Sequence, residues 1–183
     1  MISFSTKALA FTALTLLGTM TAVSAAECQA NKAYSVAWQE YDGEAGAQFA
    51  VTTLADRKAP KKCAFDARKA SFVIGTPGDP LWFGELAGNL LILTRSTGPQ
   101  GDLVVYDLAG QTKILDVASD DYALSGGKLV FWERGAEATE VNCPDFAENQ
   151  ANGMGSVISA EKRFDAKSGA LTATGKQRCD ATQ

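Results

Sequence analysis

The sequence predicts a mainly β protein: an antiparallel meander in a sandwich or a partial, propeller-like stack, with one short helix near the C-terminus. Between residues 83 and 134, three short runs rich in Val, Ile, Leu, Tyr, Phe and Trp each follow a Leu-(Ala/Ser)-Gly unit. The gaps hold Gly, Asn, Asp and Ser, as in strand–turn–strand meanders. Since the runs are apolar at consecutive positions, we expect their strands to be covered on both faces.

Three strands of this meander each divide into two sets of side chains that should face opposite ways. The sets are Leu90 and Ile92 against Leu91 and Leu93, Leu103 and Val105 against Val104 and Tyr106, and Leu129 and Phe131 against Val130 and Trp132. Covering both sets requires stacked sheets. A closed propeller needs at least four blades of ~40–45 residues, and the Gly positions here are irregularly spaced, so we expect a sandwich or a partial stack.

The segments before the meander predict further strands. Residues 33–41 alternate large apolar with smaller or polar side chains, as a half-buried strand does, and residues 48–54 form a second strand after an Asp-Gly turn. Residues 70–74 supply a third. The segment 75–80 contains two prolines and predicts a rigid turn that leads into the meander.

The segments after the meander predict one helix and a hairpin. Pro144 suits a first helical position, acidic residues follow it, and an Asn-Gly pair ends the pattern, which indicates a helix over 144–153. Residues 156–164 and 171–178 then predict two paired strands. Gly169 lies in the turn between them and can adopt a positive φ there.

Residues 1–25 have the pattern of a secretory signal peptide. Lys7 provides the positive charge, residues 8–17 are apolar, and small residues follow at the expected cleavage site. A run of about ten apolar residues is too short for a membrane span, which needs about 20. We therefore expect an exported, periplasmic or secreted, single β-rich domain over 26–183, with no membrane segment after cleavage.

Four cysteines in an exported chain predict two disulfides, for which three pairings are possible. We favour Cys28 with Cys63 and Cys143 with Cys179, because each pair would close a loop of about 35 residues at one end of the domain. A zinc site is the alternative use of four cysteines. The sequence has no histidine and no Cys-x-x-Cys pair, which argues against zinc.

The chain is acidic overall but carries one basic segment. Its 17 basic and 21 acidic residues give a net charge of −4, which argues against a nucleic-acid partner. The cations of the basic segment are Arg57, Lys58, Lys61, Lys62, Arg68 and Lys69. This segment is either a small anion-binding patch or a solvated loop around Cys63, and we favour the loop.

No catalytic constellation is found. Without histidine, the chain lacks Ser-His-Asp and Cys-His arrangements, histidine metal ligands and the usual general base. Two Ser-x-x-Lys matches, Ser125 with Lys128 and Ser159 with Lys162, fall in a predicted turn and a predicted strand. The acylating use of that motif needs a helix that places both side chains on one face.

We also predict no metal and no cofactor. Asp116, Asp120 and Asp121 are close in sequence, but they lack the glycine and the bidentate glutamate of a calcium loop, so a solvated turn is favoured. No glycine-rich phosphate loop follows a strand and opens a helix.

Residues 127–139, GKLVFWERGAEAT, resemble the second motif of the periplasmic inhibitors of c-type lysozyme, a GK-x-x-FW-x-KG-x-EA run. Arg134 replaces a lysine of that motif. The family's preceding Ser-Gly-x-x-Tyr motif, which supplies the inhibitory loop, is missing here, because Asp120 and Asp121 occupy its Ser-Gly place. The resemblance implies a small antiparallel β-barrel that blocks a lysozyme cleft, with Arg134 exposed at a strand end.

A second resemblance involves the C-terminal third. The cysteine frame here resembles that of small secreted proteins of Gram-negative bacteria. It consists of an Asn-Cys-Pro triplet at 142–144 and an Arg-Cys pair at 178–179, close to Gln183. This resemblance implies export and no particular activity.

We expect a non-catalytic exported protein of binding or inhibitor type, monomeric, with a periplasmic or extracellular protein as partner. One alternative is a structural accessory of the cell envelope. The other is a hydrolase that uses carboxylates alone, from Asp120, Asp121 and Glu133. The candidate partner-binding residues are Arg134, Asp120, Asp121, Lys61 and Lys62.

Overall fold

The computed structural model describes residues 26–55 and 62–183. In these residues twelve strands form three four-stranded antiparallel sheets, and one short helix lies near the C-terminus. The three sheets stack and do not close into a barrel. The predicted mainly β, stacked architecture is confirmed. The predicted signal peptide, residues 1–25, lies outside the described residues.

The first sheet has the order β1-β2-β3-β4: β1 Glu27–Ala30, β2 Tyr34–Glu40, β3 Ala47–Thr53 and β4 Phe72–Ile74. The middle sheet has the order β5-β6-β7-β8: β5 Leu81–Ala87, β6 Leu90–Arg95, β7 Asp102–Asp107 and β8 Thr112–Ala118. The last sheet has the order β12-β11-β10-β9: β9 Tyr122–Ser125, β10 Lys128–Glu137, β11 Gly155–Asp165 and β12 Ala170–Thr182. The helix α1, Phe146–Ala151, lies between β10 and β11 in the chain.

The middle sheet is covered on both faces, as its consecutive apolar residues predict. Leu91 and Leu93 pack with Phe49 of the first sheet, whereas Leu90 and Ile92 pack with Phe131 of the last sheet. The residues of β7 divide in the same way, and all the side chains concerned are buried or nearly so. Burial of apolar surface at two interfaces therefore holds the three layers together.

The prediction of two covered faces is wrong for the third run. Leu129 and Phe131 are buried against the middle sheet, but Val130 and Trp132 are only half-buried. They face away from the stack, and the described residues place no further sheet over them. The predicted single meander is also divided, because β5 to β8 belong to the middle sheet while β9 and β10 belong to the last.

Two strands have no counterpart in the sequence prediction. β1 has four residues, all exposed, and pairs with β2 at the edge of the first sheet. β9 also has four residues and pairs with β10. β1 has no buried side chain that a sequence pattern could reveal, and β9 is short, with only Tyr122 and Leu124 packed against the core.

The helix is shorter than the sequence predicts. It begins at Phe146, not Pro144, because the chain first makes a turn in which the Phe146 N–H donates to the Cys143 carbonyl. It ends as expected, with Gly153 at a φ of 74°. The hairpin of β11 and β12 is confirmed, and Gly169 has a φ of 70°.

Both predicted disulfides are present. Cys28 of β1 is bonded to Cys63, and Cys143 is bonded to Cys179 of β12. Cys143 is buried with Ile158 under the helix, whereas Cys28 and Cys63 are exposed. Each end sheet thus carries one disulfide. No helix of the described residues has the length and hydropathy that a membrane span requires.

Candidate functional site

Arg134, a predicted partner-binding residue, is engaged within the protein. Its guanidinium donates to the Asp120 carboxylate and to the Gly101 carbonyl oxygen, and its side chain is only 13% exposed. Asp120 in turn accepts from the Gly101 N–H at 2.6 Å. These contacts join β10 to the loop between β6 and β7. The expectation of an exposed Arg134 at a strand end is therefore wrong.

Asp121 also has a partner in the chain. Its carboxylate accepts from the Arg178 guanidinium at 3.1 Å, and Arg178 pairs with Asp180 at 2.8 Å. The same guanidinium lies 4.6 Å from the centre of the Trp132 ring, a distance typical of a cation–π contact. Long side chains in ion pairs thus fill the outer face of the last sheet at this end.

The three carboxylates of the hydrolase alternative all lie beside cations. Asp120 pairs with Arg134, Asp121 with Arg178, and Glu133 with Lys162 at 3.5 Å. The Ser159 and Lys162 pair lies on β11. Residues three apart on a strand point to opposite faces, so these two side chains do not meet.

Asp116 does not lie with Asp120 and Asp121, because Arg95 holds it at the edge of the middle sheet. Arg95 donates to both oxygens of Asp116, at 2.7 and 3.0 Å, and also pairs with Asp79 and Asp102. The hydrogen bond from Arg95 is the main cause that lowers the pKa of Asp116 to about 2. In the described chain, no three His, Cys, Asp or Glu side chains are grouped as a metal site.

A cleft of about 640 Å³ lies on the outer face of the first sheet, and we name it the first-sheet cleft. The side chains of its floor are small; they are Ala30, Ser35, Ala37, Ala50 and Thr52. The covering segment, residues 62–66, lines the other side, with Phe65 half-buried. The disulfide between Cys28 and Cys63 attaches this segment to β1. The cleft is therefore bounded by a sheet on one side and by a covalently attached segment on the other.

The strand register explains why the floor is made of small side chains. Ala37 of β2 lies opposite Ala50 of β3, and Ser35 lies opposite Thr52, so all four share one face. The alternate residues, such as Val36, point to the core. The sequence pattern of β2 predicts that the smaller residues face solvent. Instead Ser35 and Ala37, which line the cleft, are only 6% and 9% exposed.

The edge of the cleft is basic. Lys62 and Lys69 line it, and both are exposed. Asp66 also lines it, but its carboxylate pairs with Lys69 at 3.1 Å and accepts from the Arg68 N–H. The hydrogen bond from Lys69 is the main cause that lowers the pKa of Asp66. Asp66 is therefore ionised at neutral pH and already has partners.

Of the four candidate partner-binding residues that the structure describes, only Lys62 lies at this cleft. Arg134, Asp120 and Asp121 belong to the ion pairs of the last sheet, and Lys61 lies outside the described residues. Sequence reasoning missed the floor residues because alanine and serine on alternate strand positions are typical of any solvent-facing strand. The Cys28–Cys63 pairing is the signal that could have indicated a segment crossing this sheet.

No protein-family model, no curated protein and no solved structure matches the chain. The resemblance of residues 127–139 to lysozyme inhibitors implied a small barrel and an exposed Arg134. The described residues instead form three stacked sheets, and Arg134 is paired inside the molecule.

Proposed function

We propose that this chain is an exported, non-catalytic binding protein whose ligand site is the first-sheet cleft. The single observation that carries the proposal is the cleft itself. It is preformed and largely apolar on its floor, and a disulfide holds its covering segment in place. Ligand sites are typically concave, preformed and about 300–1,000 Å³ in volume, and this cleft falls within that range.

The disulfide strengthens the case for binding. A ligand that has to order a loose loop loses affinity to the entropy of ordering, whereas an attached segment costs less to position. Cys63 fixes the segment directly above β1, beside the lining residues Lys62 and Phe65. The two disulfides also support an oxidising compartment, which agrees with the signal peptide expected at residues 1–25 and with a periplasmic or secreted location.

The surroundings of Arg134 support a ligand site less well than the first-sheet cleft does. Arg134 is used to join β10 to the loop after β6, so a partner would have to compete with Asp120 and the Gly101 carbonyl for its guanidinium. A buried, bridging arginine of this kind stabilises the fold and offers few donors to a partner. We therefore place the binding site at the other end of the stack.

The proposal is tested by capture with a variant that fills the cleft. The chain lacking residues 1–25 is purified with its disulfides formed, immobilised, and exposed to periplasmic and culture extracts, and bound material is identified by native mass spectrometry. In Ala50→Phe a large ring occupies the floor of the cleft. Ala123→Phe is the matched control, because it adds the same ring to an exposed position on β9.

We expect the wild type and Ala123→Phe to retain the same molecule in a fixed ratio, and Ala50→Phe to lose it. Equal retention by both variants would place the binding site elsewhere. Recovery of nothing above the level of an empty matrix would contradict a binding function. Near-UV circular dichroism of each variant checks that the ring has not disturbed the packing of the sheets.

A further inference from the structure

We infer that the open edge of β12 pairs with the same edge of a second copy of this chain, so that two four-stranded last sheets join into one. The two strands would run antiparallel about a two-fold axis at Cys179. This edge and the first-sheet cleft belong to opposite ends of the stack, so the inference is independent of the proposed function. It replaces the monomer that we expect from the sequence by a dimer.

The edge of β12 is the longest strand edge of the described chain. β12 has 13 residues and none of them is buried, whereas the other edge strands of the three sheets have between 3 and 7 residues. β12 pairs with β11 on one side, and no described strand pairs with its other side. The undescribed residues join the described chain at Ala26, Ala55 and Lys62, which all adjoin the first sheet. Alternate peptide groups of this edge are therefore open to a further strand.

A β-bulge decides which part of the edge can receive that strand. Residues 174–176 of β12 stand opposite Glu161 alone, and Gly175 in their middle has a φ of 87°. A bulge bends the strand and interrupts regular pairing. The regular segment beyond the bulge is 177–182, and Cys179 lies near its middle. An antiparallel pair centred on Cys179 therefore uses nearly all of this segment.

The charges of the segment complement one another about an axis at Cys179. Arg178 and Asp180 are two residues apart, so they point to the same face, where their side chains pair at 2.8 Å. With the axis at Cys179, Arg178 of each copy lies opposite Asp180 of the other copy. Unlike charges that lie opposite each other on antiparallel strands stabilise the pairing. The four side chains alternate in sign both along the strands and across them.

The neighbouring registers bring like charges together. Residues that lie opposite each other share a face of the sheet, so the two-fold axis has to pass through one residue. An axis at Arg178 or at Asp180 places that residue opposite its own copy, and an axis at Gln177 places Lys176 opposite Arg178. Like charges in these positions destabilise the pairing. An axis nearer the end of β12 leaves too few residues to pair.

The segment is held in place before a second copy arrives. A disulfide joins Cys179 to Cys143. The Arg178 guanidinium donates from Nε to Asp180 and from Nη1 to Asp121. Neither of these hydrogen bonds uses Nη2, which can donate to Asp180 of the second copy. Because the edge is already ordered, pairing costs little conformational entropy.

Sedimentation equilibrium of the chain lacking residues 1–25, with its disulfides formed, measures the dimer. Pairing along one short segment makes a small interface, below about 1,200 Å², of the kind found in weak complexes. We expect a reversible dimer with a dissociation constant of about 1–100 µM. High salt should weaken the dimer, since Arg178 and Asp180 are partly exposed.

Two charge variants and their mixture assign the dimer to this edge. In its own dimer, Arg178→Glu places negative charges opposite each other, and Asp180→Lys places positive charges opposite each other. Each variant alone should therefore raise the dissociation constant at least about tenfold. In an equimolar mixture, the introduced glutamate of one chain lies opposite the introduced lysine of the other. The mixture should form heterodimers with a dissociation constant within about threefold of the wild-type value.

The matched controls are Arg163→Glu and Asp42→Lys, which make the same changes of charge at exposed positions outside β12. Both should dimerise as the wild type does. Near-UV circular dichroism of every variant shows that its sheets remain packed, so that a lost dimer is not mistaken for a lost fold.

Several results would overturn the inference. A wild type that stays monomeric up to about 500 µM has no such dimer. A dimer that both charge variants leave intact uses another surface. Charge variants whose mixture does not recover would show that the axis does not lie at Cys179. A monomer whose capture of a protein from extract is lost in Arg178→Glu would assign the edge to a different chain. None of these results bears on Ala50→Phe, so the test of the first-sheet cleft stays separate.

Discussion

The outer faces of the first and last sheets differ, although the two sheets are built alike. Each is a four-stranded antiparallel end layer, each packs one face on the middle sheet, and each carries one disulfide. The outer face of the first sheet presents small neutral side chains such as Ala37 and Ala50. The outer face of the last sheet presents Trp132, Glu161 and Arg178, which are long and make ion pairs or a cation–π contact.

The difference teaches that side chains of low exposure can lie in filled space or beside a cleft. Ser159 of the last sheet is fully buried, and its strand neighbours Arg134 and Arg178 carry long side chains. Ala50 of the first sheet is 4% exposed, and it lines a cleft of about 640 Å³. A filled surface stabilises the fold, whereas a cleft leaves volume for a ligand.

The largest expected effect on the free energy of unfolding comes from the contact between the last sheet and the middle sheet. Phe131→Ala removes a ring that is 1% exposed between the last and middle sheets. We expect a loss of ~3–5 kcal/mol in the free energy of unfolding, because a cavity adds to the lost transfer energy. A urea titration measures this value. A loss below ~1 kcal/mol would mean that the last sheet is not anchored through this ring.

The two disulfides should contribute equally to stability but differ in accessibility. They close loops of nearly equal length, with sequence separations of 35 and 36, so replacing either pair by serines should cost ~3–4 kcal/mol on the chain-entropy argument. Cys28 and Cys63 are exposed, while Cys143 is 1% exposed. Under native conditions, dithiothreitol should therefore reduce the first pair well before the second. Mass mapping of alkylated cysteines over time checks the order, and simultaneous reduction would contradict it.

An ion pair makes the free energy of unfolding sensitive to acid. The pair between Asp116 and Arg95 on the middle sheet provides a test of this effect. The pKa of Asp116 is lowered from 3.8 to about 2, so its pairing with Arg95 stabilises the fold fully above pH 4 and is lost as the pH falls towards 2. The contribution is about 1–2 kcal/mol after allowance for its partial exposure. In Asp116→Asn, unfolding by urea should lose this part of its dependence on pH. An unchanged pH profile would show that the pair contributes nothing.

The contacts of Arg134 should contribute a similar free energy of unfolding, since Asp120 is also partly open to water. Arg134→Met removes the hydrogen bonds to Asp120 and Gly101, and we expect a loss of ~1–2 kcal/mol. Arg163→Met is the control, since Arg163 is exposed on the same sheet. If both variants unfold at the same urea concentration, Arg134 does not stabilise this corner, and a role at a partner surface regains support.

The smallest effect on stability is expected at the edge of the first-sheet cleft. Lys62→Ser changes an exposed lysine and should cost less than ~1 kcal/mol, as is usual for exposed charges. The same urea titration compares it with Phe131→Ala. If Lys62→Ser is the less stable of the two, the basic segment is structural, and the contrast between an open and a filled face is wrong.

The sequence by itself determined the β class, the strands β6 and β7 of the middle sheet and the faces of their residues. These follow from local rules, because side chains alternate along a strand and turn residues permit reversals. Leu90 and Leu91 could be assigned to opposite cores from their neighbours alone, and both assignments are confirmed. The sequence left three disulfide pairings open, and the pairing that we favoured, which closes one loop at each end of the domain, is confirmed.

Only the tertiary structure decided where the sheets change and which surfaces stay open. Arg134 meets Gly101, 33 residues earlier in the chain, through the placement of a loop of another sheet, and no local pattern encodes that contact. Likewise the small residues of β2 could equally have faced water. The Cys28–Cys63 disulfide attaches a distant segment to β1, and this segment and the small residues of β2 line one cleft.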